Sequence, residues 1–523
     1  MNIANNEFPN VNIDHEIIII GAGISGIGTG IELKKHDMNS FLILEKSDSL
    51  GGTWRDASYP GIAVDIPSFS YSFSYELNPE WSRMFCEGDE IREYVDHCAK
   101  KYGIYSHFRF NTKVKKIVFD NSNNTWVTHL SDGTQLVSYY VISATGILNQ
   151  PKYPDIPGIE SFTGKKMHTA RWDHNYDVTD KKVAIIGTGA SAVQIIPSIA
   201  KQVKSMVVFQ RTPIWVMPRV NLKLGKAAQS VFKYVPFAAR AVRLITDAGL
   251  NLGAYAAVNY VKFPSMTRSA ETACIKHINS QIEDPELIKK MIPEYDFGCK
   301  RPAISNDFYP AFNRNNVDLV AEGIERVTEN GIVTADGVEH EVDLLILATG
   351  YKTQEPGNAP SFEVIGSKDY DLGEFWYENR YQAYNGVSVP DFPNFFLTFG
   401  PYTGGLNWFS MLEANALFIV RCLKEARKKN SRYIEVTQEA NDEYLADMLI
   451  KSESSVFKNA ACAAANSYYF DNHGEASLPS PFTPFWRWFR VRMVKLDAFR
   501  YAPMVSAPNL KTAMKETSST IDA

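Results

Sequence analysis

Glu16-Ile-Ile-Ile-Ile-Gly-Ala-Gly-Ile-Ser-Gly26 is the stretch that decides the fold of this chain. Four consecutive isoleucines suit a strand buried on both faces, and the glycines after them end it abruptly. From Ile24 the apolar residues recur at helical spacing. Strand, glycine turn and helix in that order open a dinucleotide-binding unit. Gly21 permits the tight turn, Gly23 lets backbone N–H groups approach a pyrophosphate, and Gly26 lets helix and strand pack closely. The next apolar run, Phe41-Leu-Ile-Leu-Glu45, ends in a carboxylate suited to accept hydrogen bonds from ribose hydroxyls. An acid at this point favours a nucleotide with a free 2′-hydroxyl, FAD or NAD, over one with a 2′-phosphate.

The pattern occurs twice. Lys182-Val-Ala-Ile-Ile-Gly-Thr-Gly-Ala-Ser-Ala192 repeats it through Gly187, Gly189 and Ala192, but the following strand, Ser205 to Gln210, runs into Arg211-Thr212 with no acid. A guanidinium binds phosphate through two parallel hydrogen bonds and a threonine hydroxyl adds a third, so this second site reads as one for NADPH. Two buried runs, Val141-Ile-Ser-Ala-Thr-Gly146 and Leu344-Leu-Ile-Leu-Ala-Thr-Gly350, read as the closing strands of the two units. The fold class is therefore α/β, with two Rossmann-like domains and the NADP domain inserted in the FAD domain. The expected boundaries are 1–150 for the first part of the FAD domain, 151–342 for the NADP domain, and 343–523 for the return to the FAD domain. Within the insertion, residues 223–295 carry few strand signals and read as a helical excursion.

Composition limits the function. Lys plus Arg number 54 against 59 Asp plus Glu, a net charge of −5, so the electrostatic footprint of a nucleic-acid binder is missing. The six cysteines form no C-x-x-C pair, which argues against a disulfide scaffold, a zinc cluster or a dithiol redox enzyme, and suits a reducing compartment; no metal site is expected. The start of the chain has no basic or apolar signal-peptide region, and the longest weakly charged stretch, Ala248 to Val261, is too short to span a bilayer. A cytoplasmic protein is expected. Aromatic residues reach 12%, which points to large apolar pockets or interfaces.

Just ahead of the second glycine turn lies Phe162-Thr-Gly-Lys-Lys-Met-His168-Thr-Ala-Arg-Trp172-Asp173, and after Glu45 comes Gly51-Gly-Thr-Trp54-Arg-Asp-Ala-Ser-Tyr59-Pro-Gly61-Ile-Ala-Val-Asp65. With Lys300-Arg301-Pro302, Phe312-Asn313-Arg314 and Ala348-Thr349-Gly350, these motifs resemble the type I Baeyer–Villiger monooxygenases, flavin-dependent enzymes that convert ketones to esters or lactones. The Trp172-Asp173 ending separates the chain from relatives that oxidise nitrogen or sulfur, which form the alternative reading.

The resemblance implies FAD, NADPH and O₂, with a hydrophobic ketone as substrate and a C4a-peroxyflavin held as an anion by a fixed positive charge. Arg301 matches the catalytic arginine and Asp65 the carboxylate that orients it. Lys300 matches a contact to the NADP 2′-phosphate beside Arg211 and Thr212, and Gly52, Thr53 and Asp65 match a loop near the isoalloxazine ring. Trp54 matches a residue packed near the flavin, or simply an aromatic of the core. His168 matches a structural residue in the linker between the two domains. Phe399-Gly-Pro-Tyr-Thr-Gly-Gly-Leu-Asn407 resembles the loop beside the flavin, followed by a helix from about Met411.

Near the end, Pro481 to Met493 mixes aromatics with arginines. It reads as a helix docked on the FAD domain with arginines facing water, the alternative being an amphipathic helix leaning on a membrane. The tail after Ser506 is polar and expected to end in disorder.

Overall fold

The computed structural model describes residues 11–235 and 237–502. The first ten residues and the polar tail after Ser506 lie outside the described residues. The isoleucine run forms the strand His15–Ile20 at the centre of an eight-stranded sheet, with Ile17 to Ile20 all buried. It pairs in parallel with Phe41–Leu44 on one side and with Gln135–Ser143 on the other. The nine-residue strand Gln135–Ser143 has two roles. Its first residues pair antiparallel with Thr125–Leu130, and its last residues pair in parallel with His15–Ile20 and with Phe395–Leu397. The parallel core is thus joined directly to an antiparallel meander of Gln135–Ser143, Thr125–Leu130 and Val114–Asp120, on whose outer edge Glu363–Ile365 pairs in parallel.

A second sheet of five parallel strands runs in the order Val317–Val320, Ser205–Phe209, Lys182–Ile186, Leu344–Leu347, Lys165–His168. Leu344–Leu347 is buried in this second sheet, and the first sheet resumes only with Glu363–Ile365. The return of the chain therefore falls later than the expected 343, because the Ala-Thr-Gly run closes the second sheet before the chain crosses back. Where the two crossings pass each other, Pro151 and Tyr351 form a β-bridge.

Parallel strands need cover on both faces. The helix Ile24–Lys35 packs against the long helix Trp408–Lys428, which packs in turn on Pro484–Met493. Trp408–Lys428 starts three residues before the expected Met411, because the Asn407 side chain accepts the Phe409 N–H and caps it. Residues 226–291 form four helices, Lys226–Tyr234, Ala238–Val258, Pro264–Asn279 and Pro285–Met291.

Arg487 corrects the reading of the last helix. It is buried, whereas Phe485, Trp486, Trp488 and Phe489 are exposed. The guanidinium satisfies interior carbonyl groups that the aromatic rings could not.

Both glycine turns meet the closing strand of their own sheet in the same way. Gly21 (φ +111°) would bring a Cβ within 2.6 Å of the Ala144 carbonyl oxygen, and Gly187 (φ +103°) within 2.7 Å of that of Ala348. Any side chain there collides with backbone that cannot move without breaking the sheet. We expect Gly187→Ala to lose about 2 kcal/mol of stability or more. A thermal midpoint equal to that of the parent chain would contradict this turn geometry.

Candidate active site

Positions of close backbone approach build the site. The Gly51 N–H donates to the Ala22 carbonyl at 2.9 Å, and a Cβ on Gly52 (φ +56°) would lie 2.9 Å from Gly23 Cα. The Gly51-Gly52 turn therefore rests on the first glycine loop, and it aims the short helix Thr53–Asp56 and the irregular segment to Asp65 into a cavity of about 2500 Å³. Ordinary ligand pockets hold roughly 300–1,000 Å³, so this one is large enough for more than one extended ligand.

At one end of the cavity Glu45 is buried. Its carboxylate accepts the Ala22 N–H at 2.8 Å and the Ser47 N–H at 3.0 Å, and Arg55 lies 3.4 Å away. Gly21 and Gly23 line the same wall. An acid beside the phosphate-binding turn suits a dinucleotide with free ribose hydroxyls.

The second glycine loop opens into the same cavity through Gly187, Gly189 and Ala190, with Ala192 fully buried one turn into the helix Ala190–Ile199. A Cβ on Gly189 would meet nothing within 4 Å, so the space before that helix is free for phosphate. Arg211, Thr212 and Lys300 line the adjoining wall. Burial, then the Arg211 charge, pull the Lys300 pKa below its usual value. Neither cation has a carboxylate ion-pair partner among the described residues. Two uncompensated cations and a hydroxyl fit a 2′-phosphate.

Between the two loops stands the pair predicted from sequence. Arg301 Nε donates to Asp65 Oδ2 at 2.6 Å and Nη2 donates to Oδ1 at 2.8 Å, the parallel two-bond geometry that suits guanidinium to carboxylate. Nη2 also reaches the Leu406 carbonyl at 3.3 Å. Burial opposes the charge on Arg301, but the Asp65 carboxylate and its hydrogen bonds outweigh it and raise the guanidinium pKa. Across the same junction Tyr59 Oη donates to Gln194 Oε1 at 2.9 Å, and Gln194 donates to the Ala63 carbonyl at 2.9 Å. Trp54 lines the cavity with its indole N–H 3.3 Å from Tyr71 Oη.

His168 ends the edge strand Lys165–His168, its ring 5.3 Å from Tyr153 and 6.2 Å from Tyr351, both on the crossings between the sheets. Its Nδ1 accepts the Ala170 N–H at 3.0 Å. Burial drives its pKa down to about 4, so it is neutral at pH 7.

One wall was not legible in the sequence. Residues 459–474 border the cavity, and Tyr468 and Tyr469 are near enough to Arg301 to be perturbed by its charge. A disulfide, Cys299–Cys462, ties this segment to the residue before Lys300, with a Cα–Cα distance of 4.9 Å and both sulfurs buried. The sequence reading of unpaired cysteines is corrected here. The two residues are 163 positions apart, and no local spacing signals a bridge of that length. The alanine-rich run around Cys462 carries no periodicity either, and nothing local in the sequence marks Tyr468 and Tyr469 as neighbours of Arg301. Among the described residues, no group of three or more His, Cys, Asp and Glu side chains converges to hold a metal ion.

The pyridine nucleotide-disulphide oxidoreductase family matches residues 18–235. A Baeyer–Villiger monooxygenase of Pseudomonas aeruginosa is 36% identical over 93% of this chain and 91% of its own length. One from Streptomyces coelicolor is 35% identical over 94% of this chain and 93% of its own. Among solved structures, cyclohexanone monooxygenase from Rhodococcus sp. Phi1 bound to NADP+ superposes with a TM-score of 0.82 at 26% identity, over 94% of this chain and 99% of that one. OTEMO in complex with FAD and NADP superposes at 0.81 and 26% identity, over 94% and 100%. The fold is that of a two-dinucleotide flavin monooxygenase, and the chain belongs to the Baeyer–Villiger monooxygenase family.

His168 and the disulfide each give a prediction. His168 has a folded pKa below its unfolded value of about 6.5, so its contribution is complete above pH 6.5 and is lost as pH falls towards 4. The loss amounts to about 3 kcal/mol. His168→Gln should flatten the dependence of thermal midpoint on pH between 6.5 and 4, and an unchanged slope would refute the assignment. Reduction of Cys299–Cys462, or Cys462→Ser, should cost about 2–4 kcal/mol, since the bridge closes a long loop of the unfolded chain. Denaturant titration with and without dithiothreitol reads this directly.

Proposed function

We propose that this chain is an FAD-containing, NADPH-dependent enzyme that inserts one oxygen atom of O₂ beside a ketone carbonyl, forming an ester or lactone. The observation that carries the reading is the Arg301–Asp65 pair on the wall of a cavity into which both glycine loops open.

In this reading Gly21, Gly23, Gly26 and Glu45 hold the FAD nucleotide, and Gly52, Thr53 and Trp54 border its ring. Gly187, Gly189, Ala192, Arg211, Thr212 and Lys300 hold NADPH. Residues 1–150 and those after the second crossing serve the first nucleotide, and the inserted residues serve the second. Reduced flavin supplies the activated oxygen.

Arg301 then supplies the fixed cation that a nucleophilic oxygen requires, and a guanidinium keeps its proton at any working pH. Asp65 is the orienting group, since its two hydrogen bonds determine which way the Nη1 N–H groups of Arg301 point. A nitrogen- or sulfur-oxidising enzyme needs an electrophilic oxygen and gains nothing from such a cation. The cavity wall around Phe399 and Trp408, whose rings stack at 4.8 Å, suits an apolar ketone. Among the described residues no helix is long and apolar enough to cross a membrane. A reaction that consumes NADPH fits the cytoplasm.

Arg301→Ala should lower ester formation by about 10²–10³-fold while NADPH still reduces the flavin. Product mass with a panel of aliphatic, cyclic and aryl ketones is the readout, because futile NADPH oxidation mimics turnover. Full ketone oxidation by the variant would sink the proposal. Arg211→Ala should raise KM for NADPH about tenfold or more, with kcat nearly unchanged and KM for NADH unaffected. An equal rise for both nucleotides would remove Arg211 from the 2′-phosphate site.

A further inference from the structure

The last helix, Pro484–Met493, presents its apolar face outward. Its inward side carries Arg487, 5% exposed, which donates to the Asn385 carbonyl at 2.9 Å and to the Asn415 side chain, with Val491 one turn further on. Phe485, Trp486, Trp488, Phe489 and Met493 project outward, with Phe485 65% exposed. Arg492 lies over the Trp488 ring at 3.5 Å.

Helix Ala238–Val258 lies alongside, and the Phe485 N–H donates to Asn251 Oδ1 at 3.0 Å. Residues seven apart share a helix face. Leu244 therefore lines up with Asn251, and Ile245 with Leu252. All three aliphatic side chains are at least 59% exposed, and Tyr234 and Phe237 extend the surface in the turn before them. Single exposed apolar residues are common, but two adjoining helices that both turn such faces to solvent mark an interaction site.

Charge identifies the partner. The chain as a whole carries −5, yet Lys223, Lys226, Arg240 and Lys262 flank the first helix with no carboxylate ion-pair partner among the described residues, while Arg243 pairs with Asp247 and Lys233 with Glu80. Around the second helix Arg490 pairs with Asp447, while Arg492 and Lys495 have no carboxylate ion-pair partner among the described residues. A two-fold contact between copies would bring these basic rims together, since such an interface repeats the same patch on both subunits. An anionic bilayer instead accepts the aromatics at its interface and neutralises the rim.

We propose that this face docks the protein on an anionic lipid bilayer as a peripheral enzyme. The inner side of the docking helix leads to the site. A Cβ on Gly253 would lie 3.6 Å from Leu406, whose carbonyl oxygen receives Arg301 Nη2. Leu252, one residue away, faces out. A lipophilic ketone dissolved in the bilayer therefore has the cavity within about one helix diameter, about 10 Å. This delivery rests on the oxygenation reading above, whereas docking itself does not.

Vesicle flotation of the full chain, with phosphatidylcholine alone and with equimolar phosphatidylcholine and phosphatidylglycerol, tests docking. We expect capture by the anionic vesicles, release in molar salt, and a blue shift of tryptophan fluorescence on binding. Phe485→Ser combined with Trp488→Ser and Phe489→Ser should weaken capture about tenfold or more. Turnover of a water-soluble ketone by this variant should stay unchanged, which shows that it is folded. Lys223→Glu with Lys226→Glu should weaken capture without the fluorescence change that loss of aromatics brings. No capture by either vesicle overturns the proposal, as does a dimer that the aromatic substitutions dissociate and that ignores lipid. If capture holds but turnover of a lipophilic ketone gains nothing from anionic vesicles, docking stands and delivery fails.

Discussion

A guanidinium held at the junction of two sheets needs a carboxylate, and Asp65 meets that need from 236 residues away in sequence. Removing a charge from water is costly unless its partner has good geometry and the remaining donors are satisfied. The two bonds to Asp65 and the contact to the Leu406 carbonyl supply both conditions. The pair also joins the segment after the first glycine loop to the residues that lead into the short strand Ala303–Ile304, so it ties two walls of the cavity together. Tyr59 and Gln194 repeat the same kind of tie a short way along.

The two sheets repeat one solution to one problem. A phosphate-binding turn must bring backbone N–H groups close to a ligand while the strand beside it still closes the sheet. Gly21 against Ala144 and Gly187 against Ala348 meet this demand with nearly the same spacing. The difference between the two sites lies one strand further on, in a carboxylate at Glu45 and a cation at Arg211. In the proposed function, that single change of charge selects between a free hydroxyl and a phosphate on the ribose.

Around this frame the later parts of the chain behave differently. The segment after Val456 carries little regular structure and is anchored by covalent and polar ties. These are the Cys299–Cys462 bridge, the Asn459–Asp296 hydrogen bond and the Asn466 contact to Thr212 at 3.1 Å. Such anchoring places Tyr468 and Tyr469 beside Arg301 without help from a sheet. The helices at 238–258 and 484–493 are held by buried polar groups and leave their apolar faces open, the reverse of a helix stabilised by its own amphipathic packing.

The glycine turns, the acid at 45 and the cation at 211 were legible because each depends on local chemistry, whereas Asp65 and Arg301 were singled out by the family resemblance of the motifs around them. A turn, a charge at a strand end or a run of isoleucines means the same thing wherever the rest of the chain goes. The true crossing point after Leu347, the disulfide across 163 residues and the tyrosine wall were not legible, because each depends on which distant segments meet. The terminal helix shows the boundary most clearly. Its composition announces aromatics and arginines, but which of them face water depends on the polar groups of Asn385 and Asn415 beneath it. The sequence by itself therefore determined what chemistry is present and in which kind of turn or strand it sits. The tertiary structure alone decided which of these groups meet, because burial and pairing are properties of neighbours that lie far apart along the chain.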